Sequence, residues 1–149
     1  MSNRTELIAE VFVAMRRLST EIDALDQRAA DYFGVNRTDL HVIDVLRSRG
    51  PLTASELARA VGLTSGGLSI ALDRLERTGY VRRSQHPDDR RSVLVEATDA
   101  LAPLEAEMFG SLAERTRKLL ATYSREELAT IKDYLERAAE ITNTSARPK

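Results

Sequence analysis

Residues 52–98 read LTASELARAVGLTSGGLSIALDRLERTGYVRRSQHPDDRRSVLVEAT, and the order of local signals within them decides the fold. Thr53 and Glu56 have the spacing of a capping box, in which a hydroxyl oxygen and a carboxylate satisfy each other's backbone N–H groups at a helix start. Leu57, Ala58 and Val61 then give a short apolar face, and Gly62 supplies a residue that tolerates a left-handed turn. Thr64 or Ser65 caps a second helix whose inward face is Leu68, Leu72 and Leu75. Gly79 ends that helix, and Ala58 is small enough for the two helices to approach closely. The pattern is a pair of short helices joined by a tight turn.

After Gly79 the period changes to two. Tyr80–Ser84 and Ser92–Glu96 are β-prone runs, separated by the polar segment Gln85–Arg91. They predict a hairpin with a charged tip directly behind the helix pair. A helix-turn-helix followed by such a wing suits duplex DNA: a helix fits the major groove, and a basic tip reaches the groove beside it.

Charge is distributed to match. The chain carries a net charge of −1, which by itself points to no polyanionic partner. Between Arg47 and Leu94, however, nine arginines stand against five acids, while the remainder is acidic. Such a dipolar chain presents a basic face to phosphates and an acidic body to solvent. A solvated, salt-bridged surface is the alternative.

The same segment resembles the winged helix of the multiple-antibiotic-resistance regulator (MarR) family of bacterial transcription factors. The matching residues are Leu57-Ala58 with Gly62, Asp73-Arg74-Leu75-Glu76, Gly79-Tyr80-Val81-Arg82-Arg83, the wing pattern Asp89-x-Arg91, and Val95-x-x-Thr98. Family members usually carry a glycine three residues after the threonine matching Thr98. This chain has Leu101 there, so the start of the next helix is expected to differ locally.

The recognition helix should turn Ser65, Gly66, Ser69, Ile70, Asp73, Arg74 and Arg77 away from its leucine face. Hydroxyls of Thr64 and Ser65 at its N-terminus suit phosphate or base-edge contacts, aided by the positive end of the helix dipole. Gly66 and Gly67 each cost about 1 kcal/mol relative to alanine inside a helix. Either they let DNA approach the backbone, or the first turn is loosely formed. Ser69 and Arg74 are candidates for base-edge or adjacent phosphate contact, and Ile70 for a thymine methyl. Arg77 pairs with an acid such as Asp73 or meets phosphate. At the wing, the resemblance implies that Arg91 enters the minor groove and that Asp89 steadies it. A guanidinium suits the negative potential of a narrow groove. Arg90 suits phosphate, and Arg83 is grouped with the wing contacts.

Long helices flank this segment. Ile8, Val11, Met15, Leu18, Ile22, Leu25, Ala29 and Tyr32 alternate three and four apart, a seam along a helix of roughly 25 residues. Leu104, Met108, Leu112 and Leu119 mark another helix, with Pro103 in its first turn. Ser124 and Glu127 open a last helix with the seam Leu128, Ile131, Leu135, Ala138 and Ile141. Asn36–Asp39 caps a helix with Leu40, Ile43 and Leu46 facing in, Gly50-Pro51 ends it, and Leu52 pairs as a short strand at the wing base. The polar tail Thr142–Lys149 is expected to be disordered. The winged segment does not need three further long helices to fold. A twofold dimer through residues such as Ile8, Val11, Met15, Leu128, Ile131 and Leu135 is the economical explanation, and the resemblance implies it too. An intrachain bundle is the alternative.

The expected fold is therefore mainly α with a small β component (α+β). Residues 1–149 form a single domain, with a winged helix-turn-helix lobe at 36–98 and a helical dimerisation region at 1–35 and 99–145. A chain of this length buries roughly 70% of its unfolded surface. There is no cysteine, which excludes disulfides, zinc-thiolate sites and thiol switches. No apolar run reaches membrane-spanning length and the start MSNRTELIAE lacks a signal peptide's apolar core, so a cytoplasmic location is expected. No nucleophile elbow, phosphate-binding glycine loop or Ser-His-Asp pattern is present, and two scattered histidines make neither an enzyme nor a metal site. No cofactor is expected. In the resembling family a small anionic or phenolic effector binds between the dimer helices and the winged lobe. Phe12, Arg16, Tyr32, His41 and Phe109 are the candidates here to line such a crevice for an aromatic or phenolic molecule. The alternative function is a winged helix that serves as a protein-interaction module without an operator of its own.

Overall fold

The structure is a computed structural model that describes residues 2–145. Helix α1 (Arg4–Phe33) leads to α2 (Arg37–Arg49), the two-residue strand β1 (Leu52–Thr53), α3 (Ala54–Val61) and α4 (Ser65–Arg77). A hairpin of β2 (Val81–Gln85) and β3 (Val93–Ala97) follows, then a 3-10 turn at Asp99–Leu101, α5 (Ala102–Leu120) and α6 (Arg125–Ser145). This is the mainly helical winged helix-turn-helix that the sequence pattern predicts.

The helix starts follow the capping chemistry. Reciprocal boxes form at Asn3 with Glu6 and at Asn36 with Asp39. At α6 the Ser124 N–H donates to Glu127 Oε1 at 3.0 Å, and the Glu127 N–H donates to Ser124 Oγ at 3.1 Å. The expected box at α3 forms by half: Thr53 Oγ1 accepts the Glu56 N–H at 3.2 Å, without the return bond. Gly62, at φ 73°, closes α3 with its N–H on the Ala58 carbonyl, so that α4 begins shortly after the turn. The end of the chain differs from expectation. Thr142–Ser145 are helical, and Thr142 Oγ1 and Ser145 Oγ donate to the carbonyls of Ala138 and Ile141, both at 2.8 Å, rather than competing for backbone amides. The rest of the polar tail lies outside the described residues.

The sheet is antiparallel in the order β1-β3-β2, with Leu52 opposite Val95 as anticipated and Arg83 opposite Val95 on the other side. Both hairpin strands begin one residue later than the β-prone runs. Only the Tyr80 carbonyl faces the hairpin partner, accepting the Thr98 N–H at 2.9 Å: the Tyr80 N–H donates to the Leu75 carbonyl at 3.0 Å, closing α4, and its phenol donates to the Phe33 carbonyl at 2.8 Å. One buried ring thus ties the end of α4 to the end of α1.

The described residues form two compact units, divided between Leu104 and Glu105. The core of the first unit joins Val42, Ile43 and Leu46 of α2, Leu57 of α3, Leu68, Leu72 and Leu75 of α4, and Val95 of β3. Burying each such side chain stabilises by about 1.5–3 kcal/mol. Leu101, where the resembling family carries glycine, is also buried there. Thr98 sets up that turn, donating from Oγ1 to the Gly79 carbonyl at 2.5 Å and accepting the Ala100 N–H at 3.3 Å. Helix α1 buries Ala29, Ala30 and Phe33, whereas α5 and α6 contain no buried residue.

The α6 box makes a prediction. The Ser124 N–H, and after it the Ser124 hydroxyl, holds the Glu127 carboxyl below its ordinary pKa. A folded-state pKa lowered in this way contributes stability in full above the unfolded value, and loses it as pH falls through the folded value. An NMR titration should give Glu127 a midpoint below the ordinary glutamate value, and Ser124→Ala should return it part of the way. An ordinary glutamate midpoint for Glu127 in the wild-type chain would show that the box is not populated.

Candidate nucleic-acid interface

Helix α4 divides its surface between core and solvent. Leu68, Ala71, Leu72 and Leu75 are buried, while Ser65, Gly66, Ser69, Ile70, Asp73 and Arg77 are exposed, Ile70 to 60%. The residue that caps it is Thr64, whose Oγ1 accepts the Gly67 N–H at 3.0 Å. The two glycines serve different ends. A Cβ on Gly67 would meet Thr64 Oγ1 at 3.2 Å, so that glycine makes room for the cap. A Cβ on Gly66 would meet nothing within 4 Å. The first turn is formed and capped, so a loose start does not account for Gly66.

The basic residues of α4 and the wing base are placed otherwise than the sequence suggested. Arg74, a candidate for base-edge or adjacent phosphate contact, closes a fork on Asp39 of α2: Nε to Oδ2 at 3.1 Å and Nη2 to Oδ1 at 2.8 Å. The partner is the buried charged residue of the core, with a side chain 2% exposed against 40% for Arg74. The hydrogen bonds to Asp39 raise the Arg74 pKa further above its already high value. Arg77 turns back along its own helix, Nε donating to the Asp73 carbonyl oxygen at 3.2 Å, rather than to the Asp73 carboxylate. That carboxylate accepts from Arg83 Nη2 at 2.6 Å, and Glu76 accepts from Arg83 Nε. These bonds, Glu76 first and Asp73 second, likewise raise the Arg83 pKa. Arg83 is therefore a brace between β2 and α4, apart from the arginines of the wing tip. Acids three residues apart on one helix face make a two-oxygen seat for an arginine on the adjoining strand.

The wing tip has the opposite character. Asp89 Oδ1 accepts the Arg91 backbone N–H at 3.0 Å, and Oδ2 accepts from Ser92 Oγ at 3.2 Å. Asp89 thus steadies the backbone of the turn, not the Arg91 guanidinium. Gln85 Nε2 donates to the Arg90 carbonyl at 2.9 Å, and the His86 N–H donates to the Ser92 carbonyl at 3.0 Å. The guanidinium groups of Arg90 and Arg91 are exposed and form no ion pair among the described residues. An open cavity of about 470 Å³ borders both elements, lined among others by Ala58, Arg59, Ser65, Ser69, Arg83 and Val93. The outward strip of α4 and the inner edge of the wing therefore frame one concave surface.

Ile8, Val11 and Met15 lie exposed on α1, and in the second unit Leu135 is exposed and Leu128 and Ile131 half-buried on α6. His41 lines an open cleft of about 460 Å³ with Asp26, Arg37, Asp44, Val61 and Leu63 among others. Phe12, Arg16 and Tyr32 are exposed on α1 outside that cleft, and Phe109 is half-buried on α5. Tyr32 ends the expected seam in solvent, its ring edge-on to Phe33 at 5.8 Å, and Phe33 takes the buried place. The residues the sequence reading did not single out are Asp39 as an ion-pair partner and Tyr80 as a buried tie. Asp39 carried a cap signal that hid its second role, and nothing in the local pattern marks a contact 35 positions away.

Comparison with known proteins agrees with this geometry. The MarR family profile matches residues 35–93. The HTH-type transcriptional regulator YcgE of Bacillus subtilis is 36% identical over 140 residues, covering 94% of this chain and 91% of that protein. The chain belongs to the MarR family. Among solved structures, a MepR mutant from a multidrug-resistant S. aureus clinical isolate superposes with a TM-score of 0.72 at 21% identity, covering 89% of this chain and 96% of that one. FabT of Streptococcus pneumoniae, solved in complex with DNA, gives 0.65 at 21% identity, covering 94% and 98%. This MarR-family chain is thus an HTH-type transcriptional regulator by kinship as well as by architecture. Among its described residues no helix is long and apolar enough to cross a membrane.

The two glycines can be separated by experiment. Gly66→Ala should raise stability, by up to about 1 kcal/mol, because the added methyl meets open space. Gly67→Ala should gain less or lose stability through the crowding at Thr64. Thermal denaturation of the two variants reads the difference, and equal effects would contradict the assigned roles.

Proposed function

We propose that this MarR-family regulator binds double-stranded DNA as a homodimer, as a repressor reading a pseudo-palindromic operator. The observation that carries the proposal is the pairing of an outward strip, Ser65, Gly66, Ser69 and Ile70, with a wing tip whose Arg90 and Arg91 form no ion pair among the described residues. In this reading α4 enters the major groove. Its capped N-terminus offers free backbone N–H groups and the Ser65 hydroxyl to a phosphate, Ser69 meets a base edge, and Ile70 meets a thymine methyl. Gly66 lets the backbone approach the duplex. Arg91 reaches the adjoining minor groove and Arg90 a phosphate, both presented by a turn that Asp89 has already ordered. Arg77, on the exposed face, adds a phosphate contact beyond its bond to its own helix.

The dimer rests on apolar surface. Ile8, Val11, Phe12, Leu18 and Ile22 of α1 are exposed, as are Leu112 and Leu119 of α5 and Leu135 and Ile141 of α6. Exposed apolar area on this scale marks an interaction surface, and twofold pairing covers like with like. Two recognition helices would then read half-sites about 10 bp apart, centre to centre. FabT, a structural neighbour, has been solved with DNA bound, and that supports the same docking here. Release by a small aromatic or phenolic effector is the further part of the proposal, and it rests on the family resemblance.

The test begins with selection of bound duplexes from a random library by the 149-residue chain. Affinity for the enriched duplex should fall steeply with salt, since each phosphate contact releases counterions. Arg91→Ala should weaken binding and reduce the slope of log K against log salt by about one, with the melting temperature unchanged. A flat salt dependence, or equal affinity for a scrambled duplex, would leave the protein-interaction reading in its place. Sedimentation should give a dimer; a monomer at micromolar concentration would remove the half-site model.

A further inference from the structure

The fork between Asp39 and Arg74 differs in kind from the ion pairs around it. Those of Arg37 with Asp23, Arg82 with Glu96, and Arg83 with Asp73 and Glu76 join side chains that are each at least 29% exposed. Asp39 alone among the described residues is a buried charge, and both its oxygens are engaged. Its Oδ2 also accepts the Asn36 N–H at 3.4 Å, and its own N–H donates to Asn36 Oδ1 at 2.7 Å. The carboxylate is therefore locked to the first turn of α2 before Arg74 arrives. Arg74 comes from α4, one turn beyond Ile70, at the edge between the buried and exposed faces.

Packing alone does not specify how α4 is rotated. The contact of Leu68, Leu72 and Leu75 with the core is non-directional, so it constrains a small roll or slide less sharply than a directional bond does. A two-bond guanidinium–carboxylate fork does not, because both bonds require the two planar groups to be aligned. A buried ion pair is also weak evidence of net stability, since desolvation offsets its attraction, and specifying one arrangement is its better-attested use.

We propose that the Asp39–Arg74 fork is the positioning device of the recognition helix: it sets the roll of α4 on α2 and thereby which bases Ser65, Ser69 and Ile70 can reach. It confers sequence discrimination, and it contributes little to affinity for DNA in general. The proposal rests on the reading of α4 as the DNA-facing helix.

The experiment compares wild type, Arg74→Lys, Asp39→Asn and the double variant, each in the 149-residue chain. The probes are the duplex enriched by selection with wild type and a scrambled duplex of the same composition. Lysine keeps the charge near Asp39 but lacks the fork; asparagine keeps the shape and the cap but lacks the charge. Both single variants should bind the scrambled duplex within about twofold of wild type with the same salt slope, because phosphate contacts are untouched. Their preference for the enriched duplex should fall by about tenfold, the effect of misreading a base pair. The double variant should be no worse than either single one, since the two side chains act as one unit. Full preference in Arg74→Lys would overturn the proposal. So would a scrambled-duplex slope reduced by about one in Arg74→Lys and unchanged in Asp39→Asn, which would make Arg74 a phosphate contact. If Asp39→Asn fails to fold, Arg74→Lys decides; if that variant also unfolds, the pair is a stability element and the proposal is wrong. Wild type that enriches no sequence would instead refute the DNA-reading function itself.

Discussion

The structure depends on how one helix divides its surface. Four residues of α4, Leu68, Ala71, Leu72 and Leu75, are committed to the core shared with α2 and β3, and that commitment decides, to within a small roll, which side chains face outward. Neither the turn before α4 nor the hairpin after it would have a fixed place without this packing. The hydrophobic term is large but blunt. It holds α4 down without fixing its roll, and polar contacts at its margins supply the direction: Thr64 at its start, Arg74 along its side, and Tyr80 just past its end.

The basic excess between Arg47 and Leu94 is real, but an arginine count is not a count of arginines available to a partner. Arg74, Arg82 and Arg83 are all held by carboxylates of the same unit. The acids that hold them, Asp39, Glu96, Asp73 and Glu76, sit on neighbouring elements, so these pairs brace the lobe while hiding much of its charge. Arg90 and Arg91, which form no ion pair among the described residues, stand side by side at the wing tip. There a short polar turn, ordered by Asp89 together with Gln85 and His86, presents two adjacent guanidinium groups to solvent.

The long helices contrast with the lobe. Helix α1 is anchored by its last turns, while Ile8, Val11, Met15, Leu18 and Ile22 keep its apolar seam in the open, and α5 and α6 bury no residue fully. A seam of regular period with no cover within its own unit suits the surface of a second subunit. This is why the same periodicity that identifies the helices also argues for association.

Periodicity and capping chemistry, both local, were legible in the sequence. The leucine spacing of α4, the asparagine and serine caps, Gly62 at the turn and the polar break in the hairpin all act within a few residues, and each element they predict is present. So was the outward strip of α4, because a helix with a known inner face has a known outer one. The destinations of the long polar side chains were not legible. Asp39 and Arg74 lie 35 positions apart and meet because two helices cross, and Arg83 finds Asp73 and Glu76 because β2 returns alongside α4. A guanidinium on a flexible stem has several carboxylates or phosphates within reach in any sequence. Only the tertiary structure brings one of them into hydrogen-bond contact and leaves the others in water, and so decides which arginines hold the fold and which are left for a partner.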